Sequence, residues 1–159
     1  MSISVVIPIK NEEEVILETL KKLDESWIVQ VDHEILIIND NSTDKTVELI
    51  KNKNFQRLKI VLIDNPKIGL GSAIKCGIDN SSNEFISIYM ADMSDSLEDL
   101  KIYYEKINNS KLLDAVFGSR FVKDSKVVNY PKIKLFLNRL ANNLIKLIFF
   151  SKYNDFTNA

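Results

Sequence analysis

Short hydrophobic runs alternate along this chain with stretches whose apolar positions recur every three or four residues. Ile3–Ile9, Glu34–Ile38, Leu58–Ile63 and Glu84–Met90 read as strands, and Ala115–Gly118 as a further short one. Between them, Val15, Ile16, Thr19, Leu20 and Leu23 mark a helix over Glu12–Leu23, with Asn11 as its N-cap. Helices are also expected over Lys45–Lys51, which Ser42 and Asp44 open with an acidic start, and over Ala73–Ile78, Leu97–Ile107 and Pro131–Phe150. Continuous apolar strands alternating with helices predict an α/β fold: a mostly parallel, Rossmann-like sheet with helices on both faces. No repeat, linker or low-complexity tract interrupts the pattern, so 1–159 reads as a single domain.

Two of the apolar runs end in carboxylates. Ile35-Leu36-Ile37-Ile38 leads into Asn39-Asp40-Asn41-Ser42-Thr43-Asp44, and Phe85–Met90 into Ala91-Asp92-Met93-Ser94-Asp95. In a parallel sheet such residues gather at the carboxyl edge, where open α/β folds bind ligands. Two acidic clusters on that edge suit a nucleotide and the divalent cation that accompanies its phosphates.

Composition narrows the class. A formal net charge of −1 supplies no global field for nucleic acid, which is therefore not an expected partner. The single cysteine, Cys76, lies in an apolar helical stretch and reads as a buried structural thiol in a reducing, cytoplasmic setting. The first residues lack the basic and long apolar regions of a signal peptide. No apolar stretch approaches the ~20 residues that span a bilayer. The first strand runs into Pro8-Ile9-Lys10-Asn11-Glu12, without the G-x-G-x-x-G turn of a dinucleotide site, and no P-loop is present. His33 has no partner motif and reads as structural.

Six blocks, in order, carry a resemblance. They are Val5-Val6-Ile7-Pro8-Ile9-Lys10-Asn11-Glu12-Glu13, Asn39–Thr46, Gly69-Leu70-Gly71-Ser72-Ala73, Met90-Ala91-Asp92, Gly118-Ser119-Arg120-Phe121 and Asp155–Ala159. Together they resemble the family 2 glycosyltransferases of GT-A fold, and within them the polyprenyl-phosphate, or dolichol-phosphate mannosyltransferase-like, sugar synthases. Family members continue past the last block. The resemblance therefore implies the N-terminal, nucleotide-sugar-binding part of such an enzyme, incomplete at its C-terminus.

The resemblance implies roles residue by residue. Pro8, Lys10, Glu12, Asp40 and Gly69 would line the site of a UDP- or GDP-sugar. Asp92 would bind the donor, act in catalysis and ligate Mg²⁺ or Mn²⁺. Met90 stands where the family carries the first aspartate of its metal motif, and a thioether is a poor ligand for these cations. Asp95, three residues on from Asp92, is the candidate second ligand. Arg120 would be catalytic and, with Lys134, bind the acceptor phosphate; its planar fork suits that task. Lys10 replaces an aromatic residue, and Asn39 replaces a second aspartate.

The expected reaction is metal-assisted, inverting transfer of a hexose to a lipid-linked polyprenyl phosphate. Two alternatives stand beside it: transfer to a saccharide hydroxyl, and a non-catalytic nucleotide-sugar-binding remnant or scaffold. The segment 131–152 adds a further expectation. Ile133, Leu137, Leu140, Leu144 and Leu147 recur at helical spacing among Lys132, Lys134, Arg139, Lys146 and Lys152. A basic amphipathic helix of this kind can lie on the inner face of an anionic membrane.

Overall fold

Seven consecutive buried residues make β1 (Ile3–Ile9) the centre of a four-stranded parallel sheet. In the computed structural model, which describes residues 1–122, 131–151 and 153–156, the strand order is β3-β2-β1-β4. Lys152 and the Thr157–Ala159 end of the last motif lie outside the described residues. The elements follow the alternation of the sequence: α1 (Ile16–Asp24), β2 (His33–Asn39), α2 (Thr46–Asn52), β3 (Ile60–Asp64), α3 (Leu70–Asn80), β4 (Phe85–Ile88) and α4 (Leu97–Asn108). The chain divides into two compact units, Met1–Asp114, which holds all of these, and Ala115–Ala159, which holds α5 (Lys132–Ile148).

The period of two along β1 and β2 sorts the core onto two faces. Ile3, Val5, Ile7 and Ile9 join Ile35 and Ile37 on one side, packed with Ile16, Leu20 and Leu23 of α1, Ile50 of α2 and Leu100 of α4. Val6, Leu36 and Ile38 turn to the other side and meet Ala73 and Cys76 of α3. Fully burying one such side chain contributes ~1.5–3 kcal/mol, so this sandwich is the main support of the unit. Cys76 is half-buried on that second face, less covered than expected, because α3 leaves its flank to solvent.

Register fixes the functional edge. Ile3–Ile9 of β1 pairs with His33–Asn39 of β2, whereas β4 pairs only with Ile3–Val6. Even-numbered residues of β1 aim their backbone at β4, as Val6 O accepting from Tyr89 N at 3.0 Å shows. Pro8, which has no N–H to give, therefore falls on the β4 side just past the last β1–β4 pair. β2 and β3 lie to one side of β1 and β4 to the other, so the topological switch point lies between β1 and β4.

Three local expectations are corrected. Residues Ala115–Gly118 form no strand; among the described residues no strand pairs with their short apolar run to complete a ladder. Asn11 does not cap α1, which starts later, after Val15. Instead Asn11 adopts a left-handed conformation at φ 57°, and its Oδ1 accepts from Thr43 N at 2.7 Å. Helix α3 begins at Leu70, so Gly71 and Ser72 belong to its first turn rather than to the approach.

Candidate functional site

The carboxyl edge of unit 1 is built from four loops, and the first two are knitted together. Asn11 N donates to Ser42 Oγ (3.1 Å), Glu12 N to Thr46 Oγ1 (2.8 Å), and Glu13 N to Asp44 Oδ2 (3.1 Å). In return Lys45 N donates to Glu13 Oε2 at 2.8 Å. Asp44 also accepts from Thr46 N at 3.0 Å, the helix-start role its position suggests. Between these loops lies a hollow of about 380 Å³ lined by Glu12, Glu13, Glu14 and Asp44 among others. Neither Asp40 nor Asp92 lines it. Of the residues expected to bind the donor, Glu12 alone lines it.

Asp40 directly follows β2 and is only 4% exposed. Its Oδ1 accepts from Gly69 N (2.9 Å) and Asn65 Nδ2 (2.8 Å), and its Oδ2 lies 3.1 Å from Gly69 N and 3.7 Å from Lys10 Nζ. The Gly69 N–H bond, with Asn65 and Lys10 beside it, holds this carboxyl below the usual carboxylate range. Gly69 sits at φ 116°, a backbone conformation that only glycine adopts without strain, and there it turns its N–H onto Asp40 while starting α3. Asn39, where the family resemblance implies an aspartate, bridges instead. Its Nδ2 donates to Asp64 Oδ1 (2.8 Å) and its Oδ1 accepts from Ser42 N (2.9 Å).

On the other side of β1, the loop after β4 presents Asp92. Thr19 of α1 anchors it from below, its hydroxyl donating to Ala91 O at 2.6 Å. Asp92 is exposed, and its Oδ1 accepts from Ser94 N at 3.0 Å. Asp95 is turned inward, its Oδ2 accepting from Met90 N at 2.8 Å. Burial, and then the Asp92 charge, push the Asp95 carboxyl up. Glu12 is half-buried and is raised likewise, by burial first and by Asp92 and Asp44 after it. Glu12, Asp92 and Asp95 thus form an acidic group around the switch point. Among the described residues no three His, Cys, Asp or Glu side chains are placed to hold a metal by themselves. That donor set fits Mg²⁺ or Mn²⁺ only in the common arrangement where one or two carboxylates share the ion with substrate phosphates.

In unit 2, the Gly118–Phe121 and Asp155 motifs meet. Arg120 Nε and Nη2 donate to Asp155 at 2.9 and 2.6 Å, and Arg120 N adds a third bond at 2.9 Å. Asp155 is almost wholly buried in this pair. Ser119 Oγ donates to Asn154 Oδ1 at 2.7 Å, closing the same junction. Lys134 lies in the first turn of α5 and is exposed.

One residue of the edge was not expected. Asn65, directly after β3, is 6% exposed and touches Asp40, Gly69 and Ser72. Its one sequence signal is its place after a strand, the place that marked Asp40.

The unit is a doubly wound α/β sheet with carboxylates gathered at its carboxyl edge around the switch point, the edge at which open α/β folds bind ligands. The chain belongs to the Glycosyl transferase family 2, whose model matches residues 4–158. It is 29% identical over 141 residues to the dolichol-phosphate mannosyltransferase of Pyrococcus furiosus, covering 89% of this chain and 39% of that protein. It is 31% identical over 155 residues to the dolichyl-phosphate beta-glucosyltransferase ALG5A of Trichomonas vaginalis, covering 91% of this chain and 47% of that protein. The chain thus spans less than half of either relative. The solved structure of Staphylococcus aureus TarS 1-349 in complex with UDP matches with a TM-score of 0.55 at 22% identity, over 67% of this chain and 32% of that one. That likeness is one of fold, and the fold is GT-A.

Proposed function

We propose that this chain carries the donor-binding part of a glycosyltransferase that moves a hexose from a UDP- or GDP-sugar to polyprenyl phosphate, with inversion. The observation that carries the reading is that Asp40 directly follows β2 and Asp92 lies in the loop after β4, the two strands that flank β1. Pro8, Lys10, Glu12, Asp40 and Gly69 form the nucleoside side. Asp92 faces the diphosphate side and supplies a carboxylate to Mg²⁺ or Mn²⁺, with Asp95 behind it. The cation, when bound, would neutralise the charge that develops on the departing nucleoside diphosphate. Arg120, oriented by Asp155, and Lys134 serve the acceptor phosphate. A phosphate acceptor is already an anionic nucleophile, so the reaction makes little demand for a general base.

The dolichol-phosphate and dolichyl-phosphate relatives support the lipid-linked acceptor. Calorimetric titration with UDP and GDP, with and without Mn²⁺, tests the donor site. Metal-dependent binding of one nucleotide is the expected result. No binding of either to the folded chain would sink the donor reading and leave a scaffold.

Helix α5 supports a place for the enzyme on the cytoplasmic face of a membrane. Its more covered positions are Leu135, Asn138, Asn142 and Ile145, with Asn142 1% exposed. Its exposed stripe is the apolar one: Ile133, Leu137, Leu140, Leu144 and Leu147. Lys134, Arg139 and Lys146 flank that stripe, and no acid occurs from Pro131 to Ser151. No helix among the described residues is long and apolar enough to cross a membrane. The chain is expected to co-sediment with phosphatidylglycerol vesicles in low salt, and far less in high salt or with phosphatidylcholine. Equal sedimentation with both lipids, or with neither, would reject the anionic surface.

A further inference from the structure

We infer that Asn65 is a positioning residue, holding the Asp40 carboxylate in the orientation that receives the nucleotide; the ligand in this inference rests on the donor reading above. Asn65 N donates to Asn39 O at 2.9 Å, which carries the β2–β3 ladder one residue past the end of β3. Its side chain then joins two elements. Nδ2 donates to Asp40 Oδ1 (2.8 Å), while Oδ1 accepts from Ser72 Oγ in the first turn of α3 (3.0 Å) and from Lys67 N (3.3 Å). The direction of the amide follows from chemistry: a carboxylate only accepts, so the nitrogen must face Asp40.

A primary amide carries a separate donor and acceptor, so it can donate to Asp40 and accept from α3 at the same time. Gly69 N reaches both oxygens of Asp40, at 2.9 Å and 3.1 Å, whereas Asn65 bonds Oδ1 alone. Oδ2 is the oxygen beside Lys10, whose side chain is 54% exposed. By holding Oδ1, Asn65 fixes the rotation of the carboxylate and leaves Oδ2 beside Lys10. Lys10 is the charged partner of Asp40, and the nearby Asp64 carboxylate is engaged by Asn39.

The test uses Asn65→Asp and Asn65→Ala in the full chain, read by carboxyl ¹³C titration of Asp40 and by UDP and GDP titration. A protonated acid at position 65 donates to Asp40 as the amide does, whereas an ionised one repels it. Asn65→Asp should lose about tenfold or more in nucleotide affinity near pH 8 and recover toward wild type near pH 5.5. Asn65→Ala should be weak at both, and the wild type nearly level. In the ligand-free protein, Asp40 should titrate higher in Asn65→Ala than in wild type, and Asn65→Asp should show a proton shared by the two carboxyls. An Asp40 titration unchanged by both substitutions overturns the inference, whatever nucleotide does. Where wild type binds a nucleotide, binding of it by Asn65→Asp that does not vary with pH overturns it too. If Asp40 shifts as expected but wild type binds neither nucleotide, the positioning stands and the donor reading fails. Either variant alone decides the Asp40 arm if the other does not fold.

Discussion

Gly77→Ala is expected to destabilise unit 1 by about 1–3 kcal/mol, in spite of alanine's better helix propensity. A Cβ at Gly77 would lie 2.2 Å from Val6 Cγ1 and 3.0 Å from Cγ2. Val6 is fully buried in the central strand, and its branched side chain has few rotamers to escape into. Either α3 must lift from β1 or the strand must shift. The gain from replacing a helical glycine is at most ~1 kcal/mol, so overpacking wins. Lifting α3 would also disturb its first turn, where Gly69 meets Asp40. Urea unfolding should show the loss, and Val6→Ala in the same chain should restore part of it, making the two substitutions non-additive. A Gly77→Ala protein as stable as wild type would show that α3 does not approach β1 this closely.

Asp92→Asn is expected to abolish the Mn²⁺ dependence of nucleotide binding and to weaken the metal-dependent affinity by at least about tenfold. The substitution should leave the loop intact. Asparagine keeps the oxygen that accepts from Ser94 N, and the loop is held independently by Thr19 on Ala91 O and by Asp95 on Met90 N. What is lost is one exposed negative charge beside the switch point. Asp95→Asn also preserves the contact to Met90, and its inward carboxylate should matter less to the cation. The two variants, titrated with UDP and GDP across a Mn²⁺ series, rank the ligands directly. Unchanged metal dependence in Asp92→Asn would remove it from the metal site. Equal loss in both variants would make Asp95 a full ligand rather than a supporting charge.

The strands, their parallel pairing and the placing of Asp40 and Asp92 were legible because they depend on local pattern. An apolar run ending in a carboxylate says where both residues go once the sheet is parallel. Asn11 was misread for the opposite reason. An asparagine before a helical period resembles a cap, yet its partners Ser42 and Thr43 lie across the edge, on the loop after another strand. Asn65 was missed on the same grounds, since the meaning of a single amide after β3 depends on Asp40 and Ser72. Ala115–Gly118 had the composition of a strand, but a strand is completed by its neighbour's hydrogen bonds. Arg120 and Asp155 were each visible as motif residues, and their bidentate pairing was not.

By itself, then, the amino-acid sequence determined the α/β alternation, the family and the residues that gather at the carboxyl edge. These follow from short-range periodicity and from motifs that keep their order. Tertiary structure alone decided which partners each oxygen of Asp40 meets, that Asp95 turns inward while Asp92 stays exposed, and which face of α5 is covered. Each of these depends on hydrogen bonds or packing between segments distant in the chain, and a local pattern carries no information about a partner it does not contain.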